Sequence, residues 1–342
     1  MKKILNVLYI LTPESYVSRQ GETISVRVGG EEKVRIPIHT IESIVCMANT
    51  TVSTPLIGLC GEAGIGLAFL SENGKFYGRF TGPVSGNVLL RHAQYRASTD
   101  LMAQLPLVMG FIAAKLANTR NVLLRASRET SVETSRFALQ EAAASLARIA
   151  KDIPRQDSVA SLRGLEGLAA SHYFGAFDHM IRANKSDFFF RERSKRPPLD
   201  NMNAIMSFLY ALLANDVRSS LEAVGLDPAT GFLHALRPGR PSLALDLMEE
   251  LRAPLCDRLA LTLVNLRQLT GASFEHTSSE VRMTEDARKL LIAAWQKRKR
   301  EEILHPYLGE KIPIGLIPHV QALLLARHLR GDLPQYPPFY WK

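Results

Sequence analysis

The residues best suited to chemistry lie in one stretch, residues 231–252, which reads GFLHALRPGRPSLALDLMEELR. A loop that contains His234 comes first. A helix is predicted to begin near Pro241, because proline is common in the first turn of a helix. On that helix Asp246 lies three residues before Glu249 and four before Glu250, and side chains at those spacings share one face. A loop histidine can therefore fold back on helix carboxylates. A donor set rich in carboxylate oxygens suits Mg²⁺ or Mn²⁺ better than Zn²⁺.

Three arginines surround these acids, namely Arg237, Arg240 and Arg252. Carboxylates that bind a metal ion beside arginines suit a phosphodiester substrate, because both the ion and the guanidinium groups attract phosphate oxygens. The stretch also has a purely structural interpretation. Its leucines predict a buried helix, the acids then form the solvated face, and His234 is a hydrogen-bonded core residue. The spacing alone leaves both interpretations open.

Glu166 is a further candidate, since it lies between Gly164 and Gly167 in a helix predicted from Ser161 to Arg182. Glycine in a helix interior costs up to about 1 kcal/mol relative to alanine. Two glycines around one acid indicate that another backbone or a ligand approaches closely. The alternative is a surface glutamate on a closely packed helix.

A basic and aromatic segment, residues 183–198 (ANKSDFFFRERSKRPP), is the best candidate for contact with a polyanion. Its basic residues are Lys185, Arg191, Arg193, Lys195 and Arg196. Such side chains can bind phosphates while neighbouring rings stack on unpaired bases. The alternative is a solvated basic loop beside three core phenylalanines.

The next predicted helix, residues 200–217, is strongly apolar but carries one polar face. Asn203, Ser207 and Tyr210 lie on that face at three- and four-residue spacing. They either support the metal-binding side chains from behind or form a polar seam in the core.

Composition points to an anionic partner for the later part of the chain. The 342 residues include 42 Lys and Arg against 33 acids, for a net charge of +9. Residues 1–80 hold 8 basic and 7 acidic residues, so nearly all of the surplus follows them. A net charge of this sign favours association with polyanions.

The three cysteines, Cys46, Cys60 and Cys256, are scattered and form no C-x-x-C pair. Structural zinc and a disulfide framework are therefore not expected, and a reducing cytoplasm is the simplest setting. No uninterrupted apolar run approaches the roughly 20 residues of a membrane-spanning helix, so no membrane partner is expected.

The elements predict an α+β protein, with a small N-terminal β domain (1–85) followed by a larger all-α domain (86–342). Alternating runs at 23–28 and 33–38 predict strands, and Asn-Gly at 73–74 predicts a hairpin. Residues 81–87 are rich in turn residues and predict a linker. The last residues, GDLPQYPPFYWK, predict an extended tail that either packs on the protein or is free to bind a partner.

Together these pieces resemble the CRISPR-associated integrase that acquires new spacers, the universal adaptation protein of CRISPR immunity. The resemblance rests on GLEG, then RPPLDNMNAIMSFLYALL, then GFLHALRPGRPSLALDLMEELR, and it covers essentially the whole chain. The order of a glutamate, a histidine and an acidic helix is specific. The sequence SLALDLMEE resembles the branch of this family that is found with type I CRISPR systems.

The resemblance implies roles for individual residues. By motif, the family's metal ligands fall on Glu166, His234 and Glu249, which would be the catalytic residues. Asp246 matches a further acid that helps to shape the site. Many relatives have Asp where this chain has Glu249, and the longer side chain could shift the metal. Arg237 and Arg252 match positions where relatives often place basic residues that contact DNA.

The resemblance also implies partners and a reaction. The family forms a homodimer through the β domain, and two dimers flank a dimer of a second, smaller adaptation protein (Cas-two). The assembly holds a short fragment of foreign DNA and joins its 3′-hydroxyl ends to a CRISPR repeat by transesterification. Two alternatives remain: a metal-dependent nuclease that only hydrolyses DNA, and a non-catalytic DNA-binding scaffold.

Overall fold

The computed structural model describes residues 6–72, 74–80, 82, 88–195 and 197–341. The chain divides into two compact units, Met1–Gly86 and Asn87–Lys342. The first unit contains two sheets in its described part, and the second unit is largely helical. This confirms the predicted α+β fold class. The predicted linker lies, apart from Gly82, outside the described residues, and so does Asn73 of the predicted hairpin turn.

In the described part of the first unit there are eight strands and one α-helix. They are β1 (Val7–Ile10), β2 (Ser15–Gln20), β3 (Thr23–Val28), β4 (Glu31–Pro37), β5 (Ser43–Cys46), β6 (Thr50–Val52), α1 (Thr54–Ala63), β7 (Gly66–Leu70) and β8 (Phe76–Phe80). One sheet has the order β1-β5-β7-β8, and the other has the order β4-β3-β2-β6.

The alternating patterns in this unit correspond to real strands. β3 pairs antiparallel with β4, and β7 pairs antiparallel with β8 as the predicted hairpin. The two sheets enclose a common core that includes Val17, Ile24, Ile44, Leu56 and Leu67. The sequence did not predict β2 or β6, because each is short and its apolar residues do not form a clear run.

The second unit contains nine helices and two short hairpins among the residues that the structure describes. The helices are α2 (Val88–Thr99), α3 (Leu101–Glu129), α4 (Glu133–Asp152), α5 (Val159–Gly175), α6 (Asn201–Ala223), α7 (Ser242–Met248), α8 (Arg258–Asn265), α9 (Glu285–Arg300) and α10 (Ile317–Leu329). The antiparallel pairs are β9 (Phe274–His276) with β10 (Val281–Met283), and β11 (Glu302–Leu304) with β12 (Lys311–Pro313).

Helix α3 is the central helix of this unit and packs against both α4 and α5. It continues through Pro106, and Asp100 caps its first turn by accepting a bond from the Met102 amide. By length and composition alone it could cross a membrane, a test that buried helices of soluble proteins also pass. Its buried face includes Phe111, Ile112 and Leu116, so its apolar character is explained by packing.

The predicted helix after His234 is shorter than its apolar pattern indicated. Helix α7 ends at Met248, a turn follows, and a π-helical segment, Arg252–Asp257, contains Pro254 before α8 begins. Proline has no amide hydrogen to donate to the preceding turn. Glu249 and Glu250 therefore lie in the turn after α7, and not on a continuous helical face with Asp246.

Candidate active site

The carboxylate of Asp246 holds the loop that contains His234. Its Oδ2 accepts bonds from the backbone amides of Phe232 (2.5 Å) and Leu233 (2.9 Å). Its Oδ1 lies 2.8 Å from the His234 amide and 2.6 Å from the His234 Nδ1. Asp246 is fully buried. The loop histidine therefore folds back on a helix acid, as the sequence predicted.

This contact determines which nitrogen of His234 can bind a ligand. A neutral imidazole that donates Nδ1–H to a carboxylate presents the lone pair of Nε2 on the other side. The Nε2 atom lies 3.8 Å from Oε1 of Glu249. Asp246 thus orients the histidine, and Glu249 stands on the side where a metal ion would bind.

Gly231 is required for this loop to lie so close to α7. A Cβ atom there would lie 2.6 Å from the Asp246 Oδ2 and 2.8 Å from the Cβ of Ser242. Any larger residue would therefore displace the carboxylate that holds His234. Nothing in the sequence shows that a helix will approach Gly231 so closely.

Glu249 is a buried carboxylate surrounded by positive charge. Its oxygens lie 2.7 Å from Nη1 of Arg252 and 2.7 Å from Nζ of Lys115. Burial raises the pKa of Glu249, but the charges of Arg252, Lys115 and His234 outweigh burial and lower the pKa from 4.5 to about 2. Glu249 is therefore ionised at neutral pH and is a strong cation ligand. The solvated-face interpretation of this acid is wrong.

Lys115, on α3, connects the two predicted carboxylate ligands. Its ammonium group pairs with Glu249 and also with Oε1 of Glu166 on α5. Burial lowers the pKa of Lys115, but the two carboxylates raise it by more, so the pKa of Lys115 lies above its usual value. The sequence showed Lys115 only as one of several basic residues on a long helix.

The three predicted ligands therefore converge, but they do not form a closed metal site. Among the described residues, no three His, Cys, Asp or Glu side chains are arranged to hold one ion directly. The donor chemistry nevertheless fits Mg²⁺ or Mn²⁺, because two carboxylates and a free imidazole nitrogen face one region. A cation, the ammonium of Lys115, already lies between the carboxylates of Glu166 and Glu249.

Glu250 belongs to a different cluster, contrary to the face assignment from spacing. Its Oε1 accepts a bond from the Tyr336 hydroxyl (2.8 Å), and its Oε2 accepts from the Phe339 amide (2.7 Å) and Gln321 Nε2 (3.0 Å). Burial raises the pKa of Glu250 to about 8, although these donors oppose the shift. The C-terminal tail, residues 331–341, thus packs on the protein.

A cavity opens beside Glu166 and Glu249. Its other polar and charged lining residues are Lys115, Thr119, Tyr173, Arg193, Lys195, Tyr210, Arg252 and Asp257. Four of these are basic, so the walls of the cavity suit a phosphate group. Two of the three predicted ligands, Glu166 and Glu249, therefore line the cavity, together with three of the eight predicted basic residues: Arg193, Lys195 and Arg252.

One wall of the cavity is a buried network around Asp257. The hydroxyls of Tyr173 and Tyr210 donate to its two oxygens at 2.8 and 2.7 Å. Burial raises the pKa of Asp257 to about 6, against the opposing effect of these hydrogen bonds and of nearby arginines. The guanidinium groups of Arg193 and Arg252 lie over the Tyr210 ring. This network fixes two of the basic groups that face the cavity.

Asn203 positions one of these arginines rather than the carboxylates. Its Oδ1 accepts from Nη1 of Arg193 at 2.6 Å, and its Nδ2 donates to Asp200 at 2.6 Å. Ser207 accepts a second bond from Arg193. The interpretation in which Asn203 supports the metal-binding side chains from behind needs correction, because its side chain bonds Arg193, Asp200 and the Glu192 carbonyl.

The basic and aromatic segment does not act as one surface. Phe188 and Phe190 are buried, whereas Phe189 is 39% exposed, with the Arg191 guanidinium over its ring. Lys185 is paired with Asp178 at 2.6 Å. Only one of the three rings is available for base stacking, so the proposed stacking platform reduces to Phe189.

The remaining predicted DNA contacts differ in exposure. Arg193 turns inward, Lys195 is exposed at the cavity, and Arg196 lies outside the described residues. Arg237 is exposed and Arg240 half-buried in the turn after His234, where the Arg240 amide bonds the Arg237 carbonyl. Their contact with DNA remains a prediction.

Replacing Gly164 or Gly167 with alanine is expected to raise the free energy of unfolding by about 0.5–1 kcal/mol per site. Both lie within α5, and a Cβ at either position would meet nothing within 4 Å. Among the described residues no other backbone approaches them, so an approaching ligand and a surface glutamate remain as the two interpretations. Urea denaturation measures the gain, and Gly231→Ala, which we expect to destabilise, is the contrast.

A lower stability in both helix variants would contradict this prediction. Weaker DNA binding at increased stability would instead indicate that DNA lies against this part of α5.

Comparison with known proteins identifies relatives along the full chain. A family model for CRISPR associated protein Cas1 matches residues 8–297. A "CRISPR-associated endonuclease Cas1" from Moorella thermoacetica is 49% identical over 343 residues, which is 100% of each chain. One from Rhodospirillum rubrum is 49% identical over 347 residues, again 100% of each.

Solved structures show the same fold at low sequence identity. A CAS1 protein from Thermotoga maritima has a TM-score of 0.82 at 22% identity and covers 95% of this chain and 97% of its own. A casposase bound to an integration product has a TM-score of 0.82 at 19% identity, over 98% and 94% of the two chains. With a family match across most of the sequence and full-length relatives at 49% identity, this chain belongs to the Cas1 family of CRISPR-associated proteins.

Proposed function

We propose that this protein is a metal-dependent DNA integrase and endonuclease of CRISPR adaptation. It joins the 3′-hydroxyl ends of short foreign DNA fragments to a CRISPR repeat by transesterification. The observation that supports this most directly is the convergence of Glu166, Glu249 and the free nitrogen of His234 beside a basic cavity. The names of the full-length relatives support endonuclease activity.

The ligands of the metal would be Glu166, His234 through Nε2, and Glu249. A bound Mg²⁺ or Mn²⁺ ion would offset the negative charge on the attacked phosphate and on its leaving oxygen. The carboxylate of Asp246 keeps Nε2 of His234 aimed at that position. Arg193, held by Asn203 and Tyr210, and Arg252 provide fixed positive charge at the cavity wall. Cleavage is the same chemistry with water in place of the 3′-hydroxyl.

The partners follow from the relatives and from the distribution of charge. Solved structures of the same fold include a Cas6-RT-Cas1–Cas2 complex and the casposase with its integration product. We infer that this chain binds DNA with its second unit, forms a homodimer through its first unit, and assembles with the smaller protein Cas2. The surplus of basic residues after residue 80 agrees with DNA binding by the second unit.

A strand-transfer assay tests the function. Purified protein is mixed with Mn²⁺, a short duplex with free 3′-hydroxyls and a supercoiled plasmid that carries a CRISPR repeat, with or without Cas2. We expect a branched product in which the duplex is joined to the plasmid, and its loss in the Glu166→Gln variant. The amide keeps the shape of the side chain but removes the charge that binds a cation.

The products separate the alternatives. Shorter strands without joined product, even with Cas2 present, would favour a nuclease that only hydrolyses DNA. Tight DNA binding with neither activity would favour a non-catalytic scaffold. Joining that Glu166→Gln does not affect would contradict the proposed site.

A further inference from the structure

Lys115 occupies the position between the two carboxylates that the proposed function assigns to the metal. Its side chain is 16% exposed, and its ammonium pairs with Glu166 and with Glu249. The donor set that attracts a divalent ion is therefore already neutralised in part by a cation of the chain itself. A positively charged group cannot remain between these oxygens when they bind a divalent ion, because the two cations repel each other.

A displaced Lys115 ammonium can move into the cavity that this residue lines. Lys115 lines the cavity together with Arg193, Lys195 and Arg252, so a released ammonium would join a wall that is already basic. Arg252 is also held by Glu249, and Arg193 by Asn203. An anion that enters among these groups would be attracted by all of them. A DNA phosphodiester is the anion that the proposed function brings to this cavity.

We propose that Lys115 is an exchangeable cation that couples metal binding to DNA binding. Without metal it neutralises Glu166 and Glu249; when metal and DNA enter together, its ammonium moves to a phosphate oxygen of the DNA. Lys115 then contacts substrate and acts as a catalytic residue. The inference rests on the proposed function, because it uses the same metal ligands and the same class of substrate.

Two consequences distinguish this role from a structural one. A lysine that only braced the carboxylates would, when removed, leave them misplaced and weaken metal binding. A lysine that competes with the metal would, when removed, strengthen metal binding while DNA joining falls. Coupling is reciprocal, so DNA should tighten metal binding by the same factor by which metal tightens DNA binding.

The experiment measures Mn²⁺ affinity from the free-ion signal in electron paramagnetic resonance, with and without a short duplex that has 3′-hydroxyl ends. The variant is Lys115→Met, which retains the apolar stem and removes the charge. We expect it to bind Mn²⁺ about tenfold more tightly than the unmodified protein in the absence of DNA, within the usual range of coupling. We also expect DNA to tighten Mn²⁺ binding about tenfold in the unmodified protein but less than about threefold in Lys115→Met.

Lys195→Met is the matched control. Lys195 lines the same cavity, but in the described contacts it forms no ion pair with Glu166 or Glu249. It should weaken DNA binding and leave Mn²⁺ affinity without DNA within about twofold of the unmodified protein, as expected for a surface charge. Equal Mn²⁺ tightening in both variants would overturn the proposal, because it would reflect only the general charge of the cavity.

A second variant keeps the test decisive if Lys115→Met does not fold. Lys115→Arg retains the charge and can bind two carboxylates through its planar fork. It should bind Mn²⁺ more weakly than the unmodified protein, since a guanidinium is harder to displace. Unchanged or weaker Mn²⁺ binding in Lys115→Met, or unchanged or tighter binding in Lys115→Arg, overturns the exchange.

The same titration separates this proposal from the function beneath it. If the unmodified protein binds Mn²⁺ no better than His234→Ala does, the proposed metal site fails. If His234→Ala loses Mn²⁺ binding but neither Lys115 variant changes it as described, only the role of Lys115 fails.

Discussion

Replacing His234 with alanine is expected to lower the rate of metal-dependent DNA joining by more than about a hundredfold. Losing a residue that only orients a metal ligand typically costs 10–100-fold, and losing the ligand itself should cost more. The variant removes the nitrogen that faces Glu249, whereas Asp246 keeps its bonds to three backbone amides. The loop should therefore remain in place. The measurement is the initial rate of strand transfer with saturating Mn²⁺, together with urea denaturation.

The control is His172→Ala, a histidine on α5 with an exposed side chain. It should join DNA at the rate of the unmodified protein. We expect the free energy of unfolding of His234→Ala to fall by only about 1.5–3 kcal/mol, the value of one hydrogen bond to a charged group. Joining by His234→Ala at more than a tenth of the normal rate would show that this imidazole is not a metal ligand.

Asp246 is expected to act on the same reaction through His234. In an Asp246→Asn variant the side chain has one acceptor oxygen instead of two. Its NH₂ group would then face either the amides of the loop or Nδ1 of His234, which need an acceptor. The loss of such an orienting partner typically costs 10–100-fold in metal affinity or activity. This explains why an acid that binds no metal in the proposed site is nevertheless fully buried beside it.

The pieces of the site that sequence could predict are those close together in the chain. His234 and Asp246 are twelve residues apart, and the Pro-Gly turn and the apolar helix between them indicate that the loop returns. Glu249 follows one helical turn later. Local spacing of this kind restricts the geometry strongly, because few backbone conformations join a short loop to a helix.

The pieces that sequence could not predict come from distant elements. Lys115 reaches Glu249 across more than a hundred residues, and its sequence context shows only an amphipathic helix with basic residues. Glu250 was assigned to the same face as Asp246 because the helix was expected to continue. In the structure the helix ends at Met248, and Glu249 pairs with Lys115 whereas Glu250 accepts a bond from the Phe339 amide. Periodicity identifies a helix well but places its end poorly.

Glu250 and the C-terminal tail together form a buried clamp next in the chain to Glu249, the proposed metal ligand. The tail supplies the Tyr336 hydroxyl and the Phe339 amide to Glu250, and Asn118 on α3 binds the Phe339 carbonyl and the Trp341 amide. Asn118 also donates to the Glu250 carbonyl at 2.7 Å. The backbone that follows Glu249 is therefore fixed by the tail on one side and by α3 on the other.

Truncation after Leu333 is expected to destabilise the second unit by about 3–5 kcal/mol, the cost of removing a fully buried aromatic side chain, here Phe339. Tyr336→Phe, which removes one donor to Glu250, should cost about 1–3 kcal/mol. Tyr340→Phe is the matched control, since this side chain is 39% exposed, and it should change stability by less than about 0.5 kcal/mol. Urea denaturation measures all three.

The clamp should also affect the metal site, because Glu249 and Glu250 are adjacent. In Tyr336→Phe, which should still fold, loosening of Glu250 should weaken Mn²⁺ binding, whereas Tyr340→Phe should not change it. If Tyr336→Phe loses stability but binds Mn²⁺ with unchanged affinity, the tail stabilises the unit without positioning Glu249. If both fall together, the position of Glu249, the proposed metal ligand, depends on tail residues nearly ninety positions later in the chain, whose described contacts are with its neighbour Glu250.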